Sequence, residues 1–143
     1  MGTQSASSNA AANSFTYQID SGEADKFFYA NGYSGRDLEI YGARNDFEHQ
    51  LEQIIFKFNP AIKSGQYSLG SPGVQVGVLT GWANIRYTPI SMTLNLTVDH
   101  SSQHIYGVYD IQTKEDYAGG NNPGIRVNGL FDVEWSTTNS RSR

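Results

Sequence analysis

The nine residues Ser91-Met-Thr-Leu-Asn-Leu-Thr-Val-Asp99 alternate polar and apolar without a break. Successive side chains of a strand point to opposite faces. Met92, Leu94, Leu96 and Val98 therefore cover a core, while Ser91, Thr93, Asn95 and Thr97 meet water. The same period returns in Val74-Gln-Val-Gly-Val78 and in Val127-Asn-Gly-Leu-Phe-Asp-Val-Glu-Trp135. Sheets with one buried and one wetted face are characteristically antiparallel, so the pattern predicts an antiparallel β domain.

Further strands are expected at Phe15–Ile19, Lys26–Ala30, Leu38–Tyr41, Gly65–Leu69, Val74–Trp82, His104–Thr113 and Arg126–Trp135. Asn31-Gly32 and Ser34-Gly35 read as a loop, Pro89 as a break before Ser91, and Lys114 to Gly124 as a polar, glycine-rich loop. Residues 47–58 are ambiguous: Phe47, Leu51, Ile54, Ile55 and Phe58 fall at helical spacing. The β-branched and aromatic run from Gln50 to Phe58 favours a strand. Roughly eight to nine strands joined by short turns imply an all-β, single-domain antiparallel β-sandwich or flattened β-barrel. Gly107 and Gly129, inside the last two strands, tilt this toward a barrel, because a mid-strand glycine marks a bulge or a tight bend in the wall.

At 143 residues the chain has the size of one domain and buries roughly 70% of its unfolded surface on folding. The expected organisation is a disordered N-terminal tail over 1–14, a β domain over 15–135 and a C-terminal tail over 136–143. The chain has no cysteine, which removes disulfides, thiolate metal sites and a cysteine nucleophile. Ten Lys and Arg stand against 14 Asp and Glu, a net charge of -4, with no basic stripe to meet a phosphate backbone. Nucleic acid is excluded as a partner on that ground. No stretch approaches the ~20 apolar residues of a membrane span. The start lacks the basic and apolar parts of a secretion signal. A Ser/Ala/Asn-rich run such as Gly2 to Ser14 nevertheless often follows a removed leader, which favours export over a cytosolic home.

No catalytic or cofactor motif stands out, and no cofactor is expected. Asp99, His100 and His104 offer metal-ligand chemistry, but they flank a turn, and His49 would have to supply a third ligand from far away; no metal site is assigned. Glu39 and Glu52 are the carboxylates that could pair for acid–base work if neighbouring strands brought them together. The fragment Gly32-Tyr-Ser-Gly-Arg36 lacks the frame of a serine nucleophile elbow, and neither glycine cluster carries the Lys-Ser/Thr of a phosphate loop.

Aromatic residues make up 13% of the chain; a β fold uses much of that, but Tyr29, Tyr33, Tyr41, Trp82, Tyr87, Tyr106, Tyr109 and Tyr117 are not all expected in the core. Tyr33 and Tyr117 sit in polar segments beside Arg36, Asn121 and Asn122. Flat rings cover sugar C–H groups while amides and a guanidinium bond hydroxyls. Tyr33, Arg36, Tyr117, Asn121 and Asn122 are therefore the expected ligand-binding set, from two loops read as sharing one end of the fold. The leading expectation is a non-catalytic binding module for a glycan or other small ligand. A protein–protein interaction or assembly domain, with oligomerisation left open, is the alternative. A small β-barrel enzyme or ligand carrier using Glu39, Glu52 and the histidines comes third.

Overall fold

The computed structural model describes residues 13–44, 49–81, 85–116 and 123–137. Among them all regular structure is strand: β1 (Ser14–Ile19), β2 (Asp25–Lys26), β3 (Tyr29–Ser34), β4 (Leu38–Ala43), β5 (Gln53–Phe58), β6 (Gly65–Ser68), β7 (Val74–Leu79), β8 (Arg86–Asp99), β9 (His104–Asp116) and β10 (Pro123–Ser136). Seven of them close a barrel in the order β3, β4, β5, β7, β8, β9, β10 and back to β3. Of the sandwich and barrel alternatives, the barrel is what forms. All pairings are antiparallel except the closing one, where β10 runs parallel to β3 through Trp135 opposite Gly32 and Ser136 opposite Tyr33.

The three remaining strands serve the seams. β1 pairs with β10 below the short β10–β3 contact, and β2 pairs with β1. β6 lies along the far half of β8, whose near half meets β7 only at Val78 opposite Tyr87.

Several expected boundaries shift. Asn31 and Gly32 are inside β3 rather than in a loop, because Tyr29 to Ser34 pair residue for residue with Leu38 to Ala43. Pro89 does not end a strand. β8 runs through it, and the missing N–H is accommodated by a register shift between Pro89 and Ser91. The expected loop Lys114 to Gly124 is shorter, since β9 continues to Asp116 and β10 begins at Pro123. Within 47–58, residues 53–58 are strand with Ile54, Phe56 and Phe58 buried; Phe47 lies outside the described residues.

The period-two pattern fixes the inner layer. Leu38 and Ile40 of β4, Ile54, Phe56 and Phe58 of β5, Met92, Leu94 and Leu96 of β8, and Ile105, Tyr109 and Ile111 of β9 are all buried. Phe15 of β1 brings its ring within 5.3 to 6.2 Å of Phe27, Phe56, Tyr109 and Phe131, so the interior is filled by aromatic contacts.

The mid-strand glycines answer to this crowding. The β9–β10 ladder runs in constant register from Arg126 to Glu134, so neither Gly107 nor Gly129 marks a bulge. A Cβ on Gly107 would stand 2.3 Å from the Phe131 ring, and one on Gly129 would stand 2.2 Å from the Thr16 carbonyl oxygen. The first glycine leaves room for a ring and the second for the backbone of β1.

Gly107→Ala is expected to destabilise the fold by ~1–3 kcal/mol through overpacking and to lower the melting temperature by several degrees. Gly77→Ala is the control, because its added carbon meets only Ile55, at 3.3 Å. Thermal denaturation followed by circular dichroism checks the pair, and equal losses would contradict the packing argument.

Candidate functional site

The barrel has two unlike ends. The connections following β1, β4, β7 and β9 open at one end, and those following β3, β5 and β8 open at the other. At the first end the apolar inner layer gives way to polar groups. On β4 the inward positions read Leu38, Ile40, Gly42 and then Arg44; on β5 they read Phe58, Phe56, Ile54 and then Glu52. The Arg44 N–H donates to the Glu52 carbonyl at 2.9 Å, extending the ladder one pair beyond both strands. Glu52 is 2% exposed, and the Arg44 side chain is half-buried beside it.

Around this pair a network forms. Arg44 donates through Nη1 to the Tyr17 hydroxyl, which donates in turn to Asp25 Oδ2 at 3.4 Å. The same Nη1 lies 3.8 Å from that carboxylate oxygen. Arg44 Nη2 is 3.1 Å from His49 Nε2, which must be the acceptor because a guanidinium only donates. On the other side of the mouth Gln50 Nε2 donates to the Tyr87 hydroxyl at 2.8 Å. Tyr87 faces Glu115 across the β8–β9 ladder.

Burial pushes the Tyr17 phenol above its ordinary value, opposed by Arg44 and reinforced by Asp25. Burial likewise raises Tyr87; the Gln50 hydrogen bond pulls against it, and the Glu115 and Asp20 charges add to it. Both hydroxyls therefore stay protonated, and able to donate, at neutral pH. This end of the barrel thus carries hydrogen-bond donors and acceptors around two largely buried tyrosine rings, Tyr17 and Tyr87.

The expected site residues divide. Tyr33 lies one residue before the end of β3, opposite Glu39, with its ring over Gly35, and Arg36 is exposed in the following turn. Both are at the end away from the mouth. Tyr117, Asn121 and Asn122 lie outside the described residues; the strand ends that flank them, Asp116 and Pro123, are at the mouth end. The 14-residue β10 separates Pro123 from Ser136, which pairs with Tyr33, so the two expected loops lead from opposite ends of the barrel.

The histidine and carboxylate alternatives also come apart. His100 Nε2 is 2.6 Å from the Ile62 carbonyl, its ring edge-on to Trp135. His104 pairs with Asp132, and Asp99 accepts from the Ser101 hydroxyl at 2.7 Å. No group of three or more potential metal-ligating His, Asp or Glu residues occurs among the described residues. Glu39 faces outward opposite Lys57, whereas Glu52 is inward at the mouth, so they cannot act as a pair.

Tyr17, Arg44, Gln50 and Glu115 were not candidates on sequence grounds. A readable signal did exist. Carrying the two-residue alternation one step past β4 and one step ahead of β5 puts Arg44 and Glu52 on the apolar side, where a charge needs a reason.

The raised tyrosines give a pH test. A native phenol with an elevated pKa keeps a proton that the unfolded chain releases near the ordinary tyrosine value of 10.0. The stability held by Tyr17, Tyr87 and the deeply buried Tyr109 is thus complete below that value and falls as pH rises through the native values. Urea midpoints should hold up to about pH 9 and drop toward about pH 11, with a shallower drop in Tyr87→Phe. Comparison of the chain with known protein families, with characterised proteins and with solved structures gives no match.

Proposed function

We propose that this protein is a non-catalytic binding domain whose barrel mouth takes a glycan or another small hydroxyl-bearing ligand. The observation that carries the reading is that the Arg44–Tyr17 and Gln50–Tyr87 hydrogen bonds and Glu115 all lie at the end where the inner layer turns polar. A sugar hydroxyl both donates and accepts. Tyr87 receives its bond from Gln50 and gives its own proton to no acceptor among the described residues, and the Gln50 carbonyl oxygen is an acceptor beside it. Glu115 adds a carboxylate acceptor across the ladder.

Two features weigh against the other readings. An apolar carrier needs an open lumen, whereas Phe15, Phe56, Tyr109 and Phe131 fill this one. An assembly domain needs a contiguous apolar patch. Of the exposed large apolar side chains, Leu69, Ile90 and Val108 stand apart, on the turn after β6, at the β8 register shift and in mid-β9, and the Phe28–Tyr29 pair is separated from Leu79 by Ala43 and Gln53 across two strands.

A thermal-shift screen against monosaccharides, divalent metals with a chelator control and apolar compounds tests the reading. A sugar held at 100 times its Kd adds about 2.7 kcal/mol and raises the melting temperature by several degrees. Gln50→Ala and Tyr87→Phe should each weaken that sugar about tenfold, the loss of one hydrogen bond of ~1–1.5 kcal/mol. A saturable shift with apolar compounds alone, or one that both variants leave untouched, would overturn it.

A further inference from the structure

The outer wall beside the mouth carries an ordered set of side chains, of which only Ala43 is buried. Register places them in three rows across β3, β4, β5 and β7. The first row is Tyr29, Ala43, Gln53 and Leu79; the second is Asn31, Tyr41, Ile55 and Gly77; the third is Tyr33, Glu39, Lys57 and Gln75. Strands stand about 4.8 Å apart and same-face residues about 6.7 Å apart, so Tyr29 and Tyr33 are separated by roughly 13 Å, with Tyr41 one strand over at the level between them. Phe28, 71% exposed, packs edge-on against Tyr29, itself 44% exposed, at a ring distance of 4.8 Å. Tyr29 is opposite Ala43, the residue before Arg44, so this aromatic row begins at the rim of the mouth.

Two further observations shape the face. Gly77 bears no side chain where its neighbours do, and a groove of about 210 Å³ lies there between Ile55, Lys57, Gln75 and Val76. Glu39 stands opposite Lys57, so the third row is neutral overall, and the first two carry no charge. A polyanion finds no excess of positive charge on such a surface. Flat rings interleaved with amides and a balanced charge pair instead match a neutral polyhydroxyl chain, whose C–H faces stack on rings while its hydroxyls bond the polar groups between them.

We infer that the ligand is an extended neutral oligosaccharide: the mouth holds one sugar, and further units run down the β3–β4–β5 wall over Tyr29 and Tyr41. This rests on the reading that the mouth binds a sugar. It adds that affinity grows with chain length, through rings that take no part at the mouth.

The test is calorimetric titration of the full chain with cello-, malto- and chito-oligosaccharides of one to six sugars. In at least one series the affinity should rise at least tenfold from monosaccharide to hexasaccharide. The double variant Y29A/Y41A should lose that gain and keep monosaccharide affinity, while Y29F/Y41F, which retains the rings, should keep both. An affinity independent of length, or a gain that survives Y29A/Y41A, would overturn the wall and leave the mouth standing if Q50A still weakens the monosaccharide. A panel in which no sugar of any length binds would overturn the mouth reading and this extension with it.

Discussion

The barrel depends on how closely β1 approaches β10. β10 and β3 touch only at their last two pairs, and along the rest of that seam the wall would be open. β1 fills it by bringing the Thr16 backbone against Gly129, where a Cβ would lie 2.2 Å from the Thr16 carbonyl oxygen. That carbonyl accepts the Tyr109 hydroxyl at 2.7 Å from inside the barrel. The Thr16 hydroxyl takes over part of the ladder, donating to Leu130 O at 3.3 Å and accepting from Leu130 N at 3.1 Å. The Thr16 carbonyl and the Leu130 carbonyl and N–H thus each have a partner, as burial requires.

The same approach drives the Phe15 ring into the lumen, and the other rings arrange themselves around it. Phe27 follows from the connection after β2, and Gly42 is bare because a Cβ there would strike both Phe27 and Phe15. Tyr17, two residues along, faces inward by the same alternation but sits one layer nearer the mouth, where its hydroxyl meets Arg44 rather than a ring. One short strand therefore closes the seam, fills the core and supplies a side chain to the candidate site. Because the middle is packed with rings, only the ends of the barrel and its outer walls are open to a ligand.

The sequence was legible wherever burial follows the local period. Met92, Leu94 and Leu96 in β8 and Val127, Phe131 and Val133 in β10 are buried as the alternation requires. Local pattern reads less well where partners override it. Asn31-Gly32 carries turn chemistry, yet its backbone groups are taken up by β4, and Gly32 is needed where a Cβ would lie 2.9 Å from Ile40 and 3.0 Å from Trp135. Pro89 looks like a strand end, yet the flanking pairs with β9 carry the chain past it. For the candidate site the sequence pointed to tyrosines but to none of the residues that partner them, Arg44, Gln50 and Glu115. The grouping of Tyr33 with the loop after β9 missed because two loops can be alike in composition and still leave opposite ends of a barrel.

What the sequence determined by itself was the class of fold and which side of each long strand is buried. Both follow from the two-residue repeat of strand geometry, which is local. The tertiary structure decided the closure into a barrel, the reason for each interior glycine, and the meeting of Arg44 with Tyr17 and of Gln50 with Tyr87, 27 and 37 residues apart in the chain. Those outcomes depend on strand order and register between distant segments, which no window of sequence contains.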